Sequence, residues 1–134
     1  MQTKDRILRS IRNRPTENAF LRREFDRFGS PATVTRALRV LMREGRLVRV
    51  SKGVYAPATV SRLSGRVVPA SMPEEYVPAA LRKLGIPVLP GRDMAAYNQG
   101  KTTQLPSGLV YHTGRRQINR KFLAKDVRFE NGFR

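Results

Sequence analysis

The stretch SPATVTRALRVLMREGRLVRVSKGVY, Ser30 to Tyr55, carries two patterns at once. Val34, Ala37, Leu38, Leu41 and Met42 recur at helical spacing and form one apolar stripe. Thr33, Thr35, Arg36, Arg39, Val40 and Arg43 fall outside the stripe; Arg46, Arg49 and Lys52 follow, and Glu44 is the one acid in the stretch. Ser30 is an N-cap candidate, and Pro31 takes the first helical position, where a missing N–H costs nothing. The helix is expected to run to about Glu44 and to close at Gly45. Alternation in LVRV and VYA around Ser51-Lys52-Gly53 then predicts a β-hairpin, with the glycine supplying positive φ.

Upstream, Thr3 to Arg14 is expected as a first helix with Ile7, Leu8 and Ile11 on one face and Pro15 beyond its end. Phe20 to Phe28 is expected as a short second helix through Leu21, Phe25 and Phe28, with Gly29 as a left-handed stop. Three short helices followed by a hairpin predict a winged helix-turn-helix over residues 1–57. Its third helix, roughly 21 Å long, presents Thr33, Thr35, Arg36, Arg39 and Arg43 on the side away from the stripe. A rod of that size fits the major groove of B-DNA.

Downstream, residues 58–73 read as a Ser-, Pro- and Gly-rich connector, and residues 74–134 as a small α/β C-terminal domain. A helix is expected from near Tyr76, since Pro78 suits only a first turn. IPVLP is a strand candidate and GRDMAAYNQG a short helix; LVYHT, QINRKF and DVRFE are three further strands. The expected fold class is therefore α+β.

Charge narrows the function. The 134 residues carry 27 Lys+Arg against 10 Asp+Glu, net +17. An excess that large repels itself in a compact chain and calls for an acidic partner. Most of the cations are arginine, whose planar fork suits phosphate and guanine edges. Residues 1–66 are net +11 and residues 67–134 net +6, so both halves are basic. There is no cysteine, which excludes disulfides, zinc–thiolate sites and thiol nucleophiles. No apolar run is long enough to span a bilayer, and the charged start MQTKDRILRSIRNRP does not read as a secretory signal. A cytoplasmic location is the expectation.

Arg36, Thr33 and Arg39 are the candidates for base contact, with Ser30, Thr35 and Arg43 beside them. Arg49, Ser51 and Lys52 are expected at phosphates or in the minor groove, and Arg22, Arg23 and Arg27 near the backbone. The alternative for each is an ordinary charged, solvated surface. Arg115, Arg116, Arg120, Lys121, Lys125 and Arg128 make a second basic patch. Tyr97, Tyr111, Phe122 and Phe129 are expected in the core, because aromatics are only 7% of the chain, too sparse for a stacking platform. His112 is the only histidine and has no partner at metal or acid–base spacing. Gly91, Gly100, Gly108 and Gly114 fit no phosphate loop. No enzyme activity, metal or cofactor is expected.

RALRVLMREGRLVRVSKGVYAP, followed by Ser61-x-Leu63-x-Gly65, resembles the AbiEi-type antitoxin regulators of type IV toxin–antitoxin and abortive-infection systems. Ala95, Ala96, Gly100, Thr103, Gln104, Pro106, Tyr111 and Thr113 are similar to that family's second block. The resemblance implies a transcriptional regulator that binds operator repeats through a winged helix, as several copies, and autoregulates its operon. It also implies a nucleotidyltransferase-like toxin as partner. Two other readings stay open: a protein-interaction module with incidental DNA affinity, and a basic RNA-binding protein.

Overall fold

A computed structural model of the chain describes residues 2–90, 109–113, 118, 120–124 and 127–130. The fold is α+β. The expected helix at Gly91–Gly100 lies outside the described residues, as do Tyr97, Arg115, Arg116, Lys125 and all of the second resemblance block except Tyr111 and Thr113.

Helix α1 spans Thr3–Arg12 and buries Ile7 and Ile11. Strand β1, Phe20–Leu21, and the 3-10 helix η1, Arg22–Phe28, stand where one α-helix was expected. The difference has two causes. Phe20 and Leu21 pair with Tyr55 and Val54, which makes them a sheet edge. Phe25 and Phe28 lie three residues apart, a spacing that a 3-10 helix stacks on one side.

Helix α2 spans Pro31–Arg43. Ser30 caps it, its Oγ accepting from the Thr33 N–H at 3.2 Å. Gly45, at φ 75°, turns the chain out of the helix. Gly29 does not act as expected. Its φ of 168° is extended backbone, not left-handed. The residue is small because a Cβ there would sit 2.8 Å from Thr3 Oγ1, whose hydroxyl donates to the Phe28 carbonyl at 2.9 Å.

Strands β2, Leu47–Ser51, and β3, Val54–Val60, form the expected hairpin, with Gly53 at φ 69° in its turn. Strand β3 then runs past Pro57 and pairs antiparallel with β4, Val67–Pro69. The segment expected as a connector thus contains the paired arms of a second hairpin. The first sheet has the order β1-β3-β2, with β4 also on β3.

Period-2 alternation gives this sheet two buried faces. Phe20, Leu47 and Tyr55 join Ile7, Ile11, Phe25, Val34, Ala37, Leu38 and Leu41 on the α1–α2 side. Leu21, Val50, Val54 and Ala56 join Tyr76, Val77, Ala80, Leu81 and Ile86 in a second core. Those last residues belong to α3, Pro73–Lys83, and the turn after it. Helix α3 starts three residues earlier than expected and contains Pro78. Only the Glu74 carbonyl loses its donor there, in the exposed first turn, so Pro78 does not break the helix.

A second sheet has the order β5-β6-β7: Leu89–Pro90, Leu109–His112 and Val127–Glu130, the last two parallel. QINRKF, expected as a strand, contributes among the described residues only a bridge from Phe122 to Ser51. Tyr111, Phe122 and Phe129 pack on the second core, as their sequence reading predicts.

Glu24 ties the layers together. Its carboxylate accepts from the Leu21 N–H at 2.6 Å, from Arg14 at 2.6 Å and from Lys83 at 2.9 and 3.0 Å. Burial pushes its pKa up, but the Leu21 N–H, Lys83 and Arg14 together outweigh that and hold it below the usual carboxylate value. Among the described residues, no helix is long and apolar enough to cross a membrane.

Candidate nucleic-acid interface

Helix α2 advances about 100° per residue, so burying Val34, Ala37, Leu38 and Leu41 turns Arg36, Arg39 and Arg43 to the opposite side. All three are exposed, and none has a hydrogen bond or ion pair among the described residues. The nearby acid is already engaged: Glu44 pairs with Lys4 at 3.1 Å and with Arg46 at 3.5 Å. The row spans about 10 Å of helix axis. Three adjacent guanidinium groups without counter-charge repel one another unless an anion meets them.

Ser30 and Thr33 stand at the start of the row. Their hydroxyls share a 2.8 Å hydrogen bond, so the pair is held at the helix N-terminus. Thr35 is half-buried. Arg22 connects this end of α2 to the hairpin turn. Its N–H donates to the Gly53 carbonyl at 2.9 Å and its guanidinium to the Pro31 carbonyl at 2.9 Å. The turn residue Lys52 is exposed beside it.

Ser51 is a correction. It was expected on the contact surface, but it is 6% exposed, and its Oγ donates to the Lys121 carbonyl at 2.7 Å. Leu123 N–H donates to the Val50 carbonyl at 2.8 Å on the same strand. These bonds clamp the C-terminal segment along β2, and Ser51 serves the clamp. Arg120 donates to Ser51 Oγ at 3.3 Å and to the Lys52 carbonyl at 2.6 Å. The clamp brings Arg120 and Lys121 of the second patch to Arg49 and Lys52, around one open pocket of about 610 Å³. Two patches read as separate along the chain are, at these residues, one surface.

Arg23 is directed elsewhere: it donates to the Lys83 carbonyl at 2.6 Å. Arg27 stays exposed, its guanidinium 4.9 Å from the Phe28 ring centre. It borders a second basic cleft of about 550 Å³ with Arg6, Arg9 and Arg14. The reading of the sequence missed Arg6 and Arg9, although Arg6, Arg9 and Asn13 recur at helical spacing along α1 and its C-cap. It also missed Arg62 and Arg66, which flank the turn between β3 and β4 and are both exposed.

Among the described residues, no group of three His, Asp or Glu side chains is placed to hold a metal ion. No curated protein matches the chain. A family model described as a family of unknown function, DUF6088, matches residues 6–132, and the chain belongs to that family.

Proposed function

We propose that this chain is a winged helix-turn-helix regulator that binds double-stranded DNA with sequence preference. In this reading α2 lies in the major groove, and the β2–β3 hairpin is the wing that grips the flanking backbone. The supporting observation is the row Arg36, Arg39 and Arg43: exposed, without an acidic partner among the described residues, and opposite the buried face of a capped helix. Arg49, Lys52, Arg120 and Lys121 add phosphate-binding charge beside the hairpin turn. Autoregulation as an AbiEi-like antitoxin, by several copies on repeated sites, follows from the sequence resemblance and belongs to the same proposal.

The test is a gel shift on the DNA upstream of the chain's own gene, competed with random duplex. Binding at least tenfold tighter to the upstream DNA is expected, the low end of what one or two base-reading arginines supply at about 1–3 kcal/mol each. Equal affinity for both duplexes removes sequence preference from the proposal. Tighter binding to duplex RNA removes the α2 docking mode, since the narrow A-form major groove does not admit a helix.

A further inference from the structure

The Ser61-x-Leu63-x-Gly65 motif lies at the tip of the β3–β4 hairpin, and it builds an arm. Ser61 N–H donates to the Arg66 carbonyl at 2.8 Å and Gly65 N–H to the Ser61 carbonyl at 2.9 Å, closing the turn. Ser61 Oγ accepts from the Leu63 and Ser64 N–H groups, each at 3.3 Å. Gly65, at φ 71°, takes the left-handed position. Serine and glycine thus fix the backbone, and Leu63 is left projecting with its side chain 100% exposed. Val60 and Val67 below it are 55% and 37% exposed.

Leu63, Val60 and Val67 together make an apolar tip on an ordered turn, a shape suited to burial against a partner. Charge selects the receiver. The tip carries two cations, Arg62 and Arg66, and no acid, and the chain has no acid between Glu44 and Glu74. Two such arms brought tip to tip repel each other, whereas a polyanion does not.

Position narrows it further. Strand β3 runs from the hairpin turn at one end of α2 to the arm at the other. At the first end Arg22 bonds both Gly53 and Pro31. At the second, a Cβ on Gly45 would lie 3.6 Å from Val67 Cγ2 and 3.7 Å from Val60 Cγ2. The two ends are about 20 Å apart. With α2 in a major groove, a minor groove lies on either side, about half a helical turn or 17 Å away. The minor groove is about 6 Å wide, so a hairpin tip enters it only where a wedge opens it.

We propose that the Arg62–Arg66 tip enters the minor groove of duplex DNA beyond the C-terminal end of α2, with Leu63 wedged against a base step and Arg62 and Arg66 on the groove walls. Leucine wedges flanked by cations unstack a step and bend the duplex. This inference rests on the DNA-binding reading above.

The test uses the whole chain and a duplex several turns long, selected by the wild type from a random-sequence pool. Hydroxyl-radical footprinting and fluorescence-transfer bend measurement are applied to wild type, Leu63→Ala, Leu63→Glu and Arg36→Ala. In the wild type, a protected minor-groove segment on the arm side and a bend are expected. Leu63→Ala should keep the central footprint and lose both. If Leu63→Ala keeps the wild-type bend and arm-side protection, the wedge is overturned while the α2 reading stands. A wild type that selects no duplex overturns both proposals. If Leu63→Glu alters the oligomeric state without DNA, by sedimentation, the tip is a contact between copies and the proposal fails. Unchanged thermal melting of both Leu63 variants is expected and separates these outcomes from misfolding.

Discussion

The Ser51 hydroxyl donates to the Lys121 carbonyl at 2.7 Å, bridging 70 positions of chain. A hairpin residue and a tail residue are therefore held by one part-buried bond, with Leu123 N–H to the Val50 carbonyl beside it. Ser51→Ala should cost about 1 kcal/mol, more if the Lys121 carbonyl stays dry. Hydrogen exchange should report the change first at Leu123, whose N–H would lose protection ahead of the α2 amides. Equal protection in both proteins would show that the clamp does not depend on this hydroxyl.

Glu24 predicts an acid-side instability. Its pKa is lower folded than its ordinary 4.5, so its contribution is complete above that value and is lost as pH falls through the folded pKa. Urea melts of the wild type between pH 7 and about pH 3 should weaken below the ordinary value. Glu24→Gln should cost about 1.5–3 kcal/mol at neutral pH, the range for hydrogen bonds to charged groups. It should also flatten the acid limb. A steep acid limb that survives in Glu24→Gln would place the titrating group elsewhere.

Arg36 and Lys52 should separate by what they contact. Both are exposed, so alanine at either should change stability by no more than about 0.5 kcal/mol. Arg36→Ala should erode the preference for the selected site by about 1–3 kcal/mol. Lys52→Ala should weaken every duplex alike and reduce the salt slope by about one. Fluorescence anisotropy on matched and scrambled duplexes distinguishes the two. Identical losses on both duplexes from Arg36→Ala would remove it from base contact.

Salt dependence gauges the size of the footprint. With about 6–8 phosphates neutralised, log K against log salt should slope about −5 to −7. A slope near −2 would mean that α2 and the hairpin do not engage the duplex together.

Gly29 predicts a steric effect. A methyl group at this residue would press on Thr3 Oγ1 at 2.8 Å and displace the hydroxyl from the Phe28 carbonyl. Gly29→Ala should cost about 1–3 kcal/mol, the range for overpacking. Combining it with Thr3→Ala should recover part of the loss, by thermal melting. No recovery would point to Thr33 Cγ2, 3.4 Å from the added methyl, as the obstacle.

Helix α2 was readable because its signals are local: the Ser30 cap, Pro31 at the first turn, a clean apolar stripe and Gly45 at the end. The β2–β3 hairpin was readable for the same reason. What the sequence hid is non-local. Phe20 and Leu21 become strand only because Val54 and Tyr55 lie beside them. Val60 and Val67 pair across a turn whose Ser and Gly content resembles a linker. Ser51 looks like a solvent-facing turn residue until a segment 70 positions later covers it. Arg36, Arg39 and Arg43 were legible as an outward row, because the buried stripe fixes where the opposite side must lie. The joining of Arg120 and Lys121 to Arg49 and Lys52 was not, since it depends on that same clamp.

The central sheet is roofed on one side by α1 and α2 and floored on the other by α3 and the tail. A fragment ending before Pro73 would leave Leu21, Val50, Val54 and Ala56 as an oily plate open to water, prone to clump. A chimera that borrows this chain's front half must therefore import the matching underside as well, or be fitted with a substitute lining.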